Sequence, residues 1–200
     1  MLAVTGFRTS IVRALTSRTG EPVERIHADL ADPATRFTWP DGCERFVLAA
    51  GILYPTQVHD LGPMAITEAL HVNLTNVMRL CEVILRSVRT ARVVVIGSLS
   101  GREGSFDQLY AAAKAGVHCY VSTRLVQPPQ LLACVAPTIV SDAGMTMRRA
   151  DYPAVLSRRP TVTSAQVAEM IAAYLYAEAA QLERLNNSIR FMEGVDNGGE

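Results

Sequence analysis

Two kinds of apolar segment alternate along the chain. Leu2 to Thr5, Phe46 to Ala50, Arg92 to Ile96 and Leu131 to Val135 are short runs, and Arg92 to Ile96 is nearly all β-branched (Val93, Val94, Val95, Ile96). A continuous apolar strand of that kind is buried on both faces, which implies a parallel sheet. Val23 to Leu30 and Ile189 to Met192 are two further strand candidates. The intervening segments carry the helical period. Ile11, Val12, Ala14 and Leu15 predict a helix that closes near Gly20. Leu70, Leu74, Val77, Met78, Cys81, Ile84 and Leu85 predict a long helix over Met64 to Val88. An Ala-rich stretch predicts a second over Gln108 to Val126, and Thr163 to Ala180 a third, with Thr163 or Ser164 as its cap. Strands alternating with helices predict an α/β fold, a three-layer doubly wound parallel sheet covered by helices on both faces. There is no internal repeat and no low-complexity segment.

Composition narrows the class. At 200 residues the chain is within the range of one domain, taken here as residues 1–200. The hydrophobic share of 49% supplies a core and excludes a mainly disordered chain. Lys and Arg number 19, as do Asp and Glu, so the formal net charge is zero. A protein that binds nucleic acid over its whole surface carries a basic excess, and none is expected to bind here. Cys43, Cys81, Cys119 and Cys134 form no Cys-x-x-Cys and have no paired His nearby, which argues against a metal site and for four reduced thiols. The opening residues lack a basic start and apolar run, and no stretch reaches the ~20 apolar residues of a membrane span. A cytoplasmic protein without a membrane partner is the expectation.

The chemistry-bearing residues gather in the middle of the chain. Tyr110 and Lys114 are four apart on the Gln108 helix and share a face. A Tyr near its usual pKa of ~10 is a poor acid–base catalyst at neutral pH. A neighbouring ammonium favours the phenolate, so the pair suits proton exchange with a carbonyl or an alcohol. Taken alone, Tyr-x-x-x-Lys arises often by chance. Ser98 follows the Val93–Ile96 strand directly, where ligands bind in open α/β sheets, and Gly97 and Gly101 let the backbone come close. Asn73 lies inside the Met64 helix, a poor position for Asn. His118 and Cys119 find no ligand partners and read as core or interface residues.

These residues resemble a known family. Ser98, then Tyr110-Ala111-Ala112-Ala113-Lys114, is similar to the catalytic motif of the short-chain dehydrogenases/reductases. The resemblance covers nearly the whole chain. The segment from Val4 to Leu15, with Gly6, resembles the opening Thr-Gly-x-x-x-Gly-x-Gly segment of the family. Asp29-Leu30 resembles the pair that contacts adenine. Ala49-Ala50-Gly51 stands where the family has Asn-Ala-Gly, and Val72-Asn73-Leu74 where it carries its catalytic Asn. Val135 to Val140, with Pro137, resembles the segment beside the nicotinamide, and Val195 to Gly199 resembles the closing Val-Asp-Gly-Gly. The resemblance implies NAD or NADP as cofactor and hydride transfer between nicotinamide and a ketone or secondary alcohol. By the same implication Tyr110 is the acid/base and Lys114 lowers its pKa and holds the nicotinamide ribose. Ser98 positions the substrate oxygen, and Asn73 holds a water in a proton relay. The implied cofactor contacts are Gly6, Arg8, Thr9, Ser10, Ile11, Asp29, Leu30, Ala49, Gly51, Tyr110, Lys114, Pro137 and Val140. The loop over residues 142–160, with four arginines, falls where the family has its substrate lid.

The chain departs from the family pattern at defined places. Ser10 and Val12 stand at the second and third family glycines, where close approach to pyrophosphate and close helix–strand packing are needed. Val12 is expected to push the helix outward or to demand a smaller partner. Between Gly6 and Asp29 there is room for only one helix and one strand, so the sheet is expected to lack one strand–helix unit near the N-terminus. That unit normally reads the adenosine ribose, which leaves NAD against NADP open. Arg8 is a candidate for a 2′-phosphate. Thr138 follows Pro137 in place of Gly, and Asp142 stands near a common Thr.

Two functions compete on this evidence. One is an oxidoreductase acting on a small carbonyl or alcohol. The other is a non-catalytic ligand-binding or regulatory protein on the same fold, with a degenerate phosphate loop. The 64–88 and 108–126 helices carry apolar residues beyond one stripe, and family members commonly pair through them. A homodimer or homotetramer is expected, and light scattering at micromolar concentration should give a mass well above the 21.7 kDa of one chain.

Overall fold

The computed structural model describes residues 1–54, 58–148 and 159–194. Six strands, β1 (Leu2–Thr5), β2 (Val23–Arg25), β3 (Arg45–Leu48), β4 (Arg92–Ile96), β5 (Leu131–Pro137) and β8 (Ile189–Met192), form one sheet in the order β2-β1-β3-β4-β5-β8. Every pairing in it is parallel. A short parallel pair, β6 (Ile139–Val140) and β7 (Thr161–Val162), lies beyond the end of β5. The helices are α1 (Ser10–Thr19), α2 (Pro63–Leu70), α3 (Asn76–Ser87), α4 (Ser100–Glu103), α5 (Gln108–Thr123), α6 (Gly144–Met147), α7 (Ser164–Leu175) and α8 (Leu182–Leu185). This is the doubly wound Rossmann-like α/β fold that the pattern predicts.

Strand alternation produces the three layers. Leu2, Val4, Val47, Val94, Leu131, Ala133 and Val135 face one way and pack with Ile11, Val12 and Leu15 of α1 and Val167, Ala168 and Ile171 of α7. Ala3, Phe46, Leu48, Val93, Val95, Leu132 and Cys134 face the other way, onto Val77, Leu80, Cys81 and Ile84 of α3 and Val117 and Val121 of α5. Both faces of the central strands are thus covered, which is why they read as unbroken apolar runs. The chain leaves β1 for β2 on one side and returns to β3 on the other. The sheet therefore reverses direction between β1 and β3, and the crevice at such a reversal is where doubly wound sheets bind ligands.

Several boundaries differ from the sequence pattern. β3 ends at Leu48, not Ala50, and β5 runs past Val135 to Pro137. β2 ends at Arg25, not Leu30, because His27 turns to pair antiparallel with Thr38. Asp29 and Asp32 then close turns, their Oδ1 atoms accepting from Ala31 N (3.0 Å) and Ala34 N (2.8 Å). The predicted Met64–Val88 helix is α2 and α3 joined by a π turn over His71–Thr75. α5 stops at Thr123, where Arg124 becomes extended, and α7 stops at Leu175, short of Ala180. Thr163 caps α7 with a reciprocal Gln166 box. No described helix is long and apolar enough to cross a membrane. The Val195–Gly199 motif, Arg149, Arg158 and most of the 142–160 loop lie outside the described residues.

Val12 is 2% exposed and sits in the core that α1 shares with α7, where small Ala168 is among its companions. The residue that replaces a family glycine is therefore a core side chain. Val12→Gly removes three buried carbons at ~0.8 kcal/mol each and adds a helix-propensity loss of ~1 kcal/mol. Urea denaturation is expected to show a loss of about 3 kcal/mol.

Candidate active site

Most of the residues singled out from the sequence meet at the C-terminal ends of β1, β3, β4 and β5; Asp29 and Asn73 do not line the cleft there. Gly97 N–H donates to Val135 O and Leu99 N–H to Pro137 O, each at 2.8 Å, so the β4–β5 ladder continues past the strands. This fixes Ser98 beside Pro137. Ser98 is 9% exposed, and its Oγ accepts from Ser100 N–H at 3.2 Å. α4 then crosses α5 closely. A Cβ on Gly101 would stand 2.7 Å from the Lys114 carbonyl carbon, and one on Gly97 would stand 2.6 Å from both Cys134 Sγ and His118 Nε2. Gly101 is required by the approach of the α5 backbone, and Gly97 by the Cys134 and His118 side chains.

Lys114 is the only lysine in the sequence. It is buried, and its Nζ donates to Ile96 O at 2.8 Å and lies 5.6 Å from the Tyr110 ring centroid. Burial pulls its pKa down to about 8. Burial pushes the Tyr110 phenol up to about 12, against a hydrogen bond with Ser98 that lowers it, while the Asp107 carboxylate raises it further. Ser98, rather than Lys114, favours the phenolate here.

Asn73 lies in the π turn and is 1% exposed. Its Oδ1 accepts from Ile52 N–H (3.1 Å) and its Nδ2 donates to Ile52 O (2.9 Å). Gly51 makes room, since a Cβ there would be 3.1 Å from Asn73 Oδ1. Asn73 thus clasps the loop after β3 from behind and does not itself line the cleft.

Two residues that the sequence pattern did not single out hold the frame. Asp107 caps α5 by accepting from Tyr110 N–H and accepts from Tyr54 N–H with its other oxygen, both at 2.8 Å. It joins the loop after β3 to the helix that bears Tyr110 and Lys114. Its place three residues before Tyr110, at the head of an apolar-periodic run, is the N-cap signature. Asn76 is fully buried and donates to Leu30 O (2.9 Å) and Asp32 O (3.0 Å), which fixes the turn after β2. Those long-range partners leave no mark in sequence spacing.

A cleft of about 1490 Å³ opens over this edge. Gly6, Arg8, Thr9, Ser10 and Ile11 line one end, with Leu30, and Ala49 and Gly51 line the middle. Ser98, Tyr110 and Lys114 follow, and then Pro137 and Val140. Asp29 is not among the lining residues, its carboxylate being engaged in the turn with Ala31. Gly6 has φ +65° and a Cβ there would stand 2.9 Å from the Ala49 and Ala50 backbone, so the β1–α1 turn and the end of β3 are in contact. Thr9 caps α1 by accepting from Val12 N–H at 3.3 Å. Ser10 accepts from Ser164 Oγ at 2.7 Å, and Asp142 Oδ1 accepts from Ser164 N–H at 2.7 Å. The serine in place of the second family glycine is thereby tied to the head of α7.

Residues 41–152 match the model of the short chain dehydrogenase family. The chain belongs to that family, a family of oxidoreductases. No curated protein matches the sequence. Among solved structures, it resembles a short chain dehydrogenase from Burkholderia cenocepacia J2315 in complex with NADP, at 20% identity and TM-score 0.79, over 98% of this chain and 97% of that one. A protein from Agrobacterium tumefaciens with bound NADP aligns at 20% identity and TM-score 0.80, over 96% and 94%. The aldohexose dehydrogenase of Thermoplasma acidophilum, in ligand-free form, aligns at 15% identity and TM-score 0.76, over 95% and 91%. At these identities the likeness is one of fold.

His118 gives the site a pH signature. It is 7% exposed, its Nε2 has no partner among the described residues, and burial, helped by Lys114, takes its pKa from 6.5 to about 4. Below 6.5 the unfolded chain binds a proton that the folded one does not. Stability is therefore lost as pH falls from 6.5 toward 4. In His118→Leu, urea titrations at the two ends of this window should show a loss smaller by roughly 2 kcal/mol than in the parent protein.

Proposed function

We propose that the protein is an NADP-dependent oxidoreductase that reduces a ketone, or oxidises the matching secondary alcohol, with Tyr110 as the acid/base. One observation carries this reading: Ser98, Tyr110 and Lys114 line a single cleft at the end of β4. The residues present suit a dinucleotide. The cleft runs from the capped N-terminus of α1 to Pro137 and Val140, and a helix N-terminus favours an anion. Gly6, Arg8, Thr9, Ser10 and Ile11 would hold the pyrophosphate, and Leu30 the adenine. Ala49, Gly51, Pro137 and Val140 would hold the nicotinamide, and Lys114 its ribose. Arg8, Arg13 and Arg25 line the same end of the cleft, and no carboxylate lines it with them among the described residues. That charge supports a 2′-phosphate, hence NADP over NAD. When bound, the nicotinamide supplies or accepts the hydride.

The chain's own groups then have separate tasks. Ser98 donates a hydrogen bond to the carbonyl oxygen and sets its orientation. Tyr110 gives that oxygen its proton as the carbonyl carbon takes the hydride, and the C=O π pair becomes the new O–H bond. Tyr110 starts from about 12, with the Ser98 hydrogen bond lowering it; the Lys114 ammonium, within one helical turn, is assigned to add to that as the phenolate forms. Lys114 needs its own charge for that task, and with a pKa of about 8 it begins to lose it above neutral pH. Asn73 holds the Ile52 backbone, and with it the cleft wall, so its part is to position the site rather than to exchange the proton.

A titration of NADPH and NADH followed by nicotinamide fluorescence tests the cofactor. Saturable binding with NADPH preferred is expected, and Arg25→Ala should weaken NADPH by about tenfold and NADH less. Tyr110→Phe should lower kcat about a thousandfold on any ketone that is turned over, with NADPH affinity retained. Absence of binding at millimolar cofactor would instead favour a non-catalytic binding protein on this fold.

A further inference from the structure

We infer that the substrate carries an anionic group, a carboxylate or a phosphate, held by Arg148 and Arg159 beside the carbonyl it presents to Ser98 and Tyr110; this rests on the oxidoreductase reading above. The chain has no net charge, yet the cleft is strongly basic. Its charged lining residues are Arg8, Arg13, Arg25, Lys114, Arg148 and Arg159 against Glu103, the only carboxylate among the described lining residues. Glu103 is already bound to Arg102 at 2.7 Å. The cations fall into two groups. Arg8, Arg13 and Arg25 come from the β1–α1 turn, α1 and β2, where a dinucleotide's phosphates would lie. Arg148 and Arg159 come from the other half of the sheet, after α6 and before β7.

Hydrogen bonds carry the second group to the reacting end. Thr138 Oγ1 donates to Pro160 O at 3.3 Å, next to Arg159, and Leu99 N–H donates to Pro137 O at 2.8 Å, next to Ser98. Arg148 N–H donates to Gly144 O at 3.2 Å, closing the helix whose Met145 and Thr146 line the same chamber. Neither guanidinium makes an ion pair or hydrogen bond with another described residue, whereas Arg18, Arg45, Arg102 and Arg124 are all paired with glutamates. Two guanidiniums that line one cleft without a partner among the described residues are suited to an oxyanion, which such forks bind with two parallel hydrogen bonds. Leu53, Phe106 and Ile139 add apolar surface to the same cleft. The chemistry this selects is a compact ketone or alcohol with one anionic end.

The test uses the full chain with saturating NADPH and four probes: acetoacetate, methyl acetoacetate, dihydroxyacetone phosphate and dihydroxyacetone. An anionic probe is expected to exceed its neutral partner at least tenfold in kcat/KM, and the pair that does so tells carboxylate from phosphate. In Arg148→Ala and Arg159→Ala that ratio should fall about tenfold, through KM, with NADPH affinity within twofold of the parent. Equal use of charged and neutral probes overturns the inference and leaves the oxidoreductase reading standing. So does a tenfold loss of NADPH affinity in both variants with the ratio unchanged, which would assign these arginines to the cofactor. Turnover of none of the four by a protein that binds NADPH also overturns it. Failure to bind NADPH overturns the reading beneath it.

Discussion

The hydrogen bond from Lys114 Nζ to the Ile96 carbonyl is the constraint around which the site is built. It places a buried cation against the last residue of β4 and so ties α5 to the end of the sheet. A charge taken out of water has to be compensated, and a strand-end carbonyl that has run out of ladder partners is the group at hand. Everything nearby follows from the closeness this demands. Gly97 and Gly101 are needed because the α5 backbone and the His118 ring occupy the space that a side chain would take. Tyr110 and Ser98 face each other because α5 cannot turn away from β4 while Lys114 holds it. Asp107 completes the arrangement from the other end of the helix, through one carboxylate shared between Tyr110 and Tyr54.

Much of the fold was legible because burial on both faces writes a plain signal. Arg92–Ile96, Leu2–Thr5 and Ile189–Met192 have the limits that their apolar runs predict. The misplaced ends are where a local polar group overrides the pattern. Asp29 and Asp32 turn the chain after β2 although apolar residues continue past it, and Arg124 ends α5 while Leu125 and Val126 still keep the helical period. The π turn at Asn73 was invisible, since one extra residue in a turn leaves the apolar spacing on either side intact. Among the candidate site residues, those with their own chemistry, Ser98, Tyr110 and Lys114, were legible through spacing. Asp107 has the N-cap signature at the head of α5, but its tie to Tyr54 leaves no mark in spacing. Asn76 acts on backbone groups many residues away, and the outward turn of Asp29 depends on its own loop, so neither of these two appears in a one-dimensional pattern.

The altered phosphate loop shows how a departure from a family pattern is absorbed. Ser10 and Val12 each bring atoms that the family's glycines lack: the Val12 side chain goes to the core beside α7, and Ser10 Oγ bonds the head of α7 while Ser10 still lines the cleft. Val12 packs into the layer between the two helices, and Ser10 meets Ser164, whose own amide is held by Asp142. The first turn of α1 gains a lateral anchor in place of close backbone approach. The loop, the head of α7 and the segment after β6 are therefore mechanically joined, although they are far apart in sequence.

The cationic inventory has an arithmetic of its own. Apart from Lys114 and the histidines, every basic side chain in the protein is an arginine. A guanidinium serves well wherever a permanent, exposed charge is wanted, and its proton is held too tightly to be given up near neutrality. The single smaller, more easily neutralised amine is enclosed at the end of β4, in the wall of the cleft. Of all the lysine and arginine side chains, it alone can shed its charge within about a unit of neutrality.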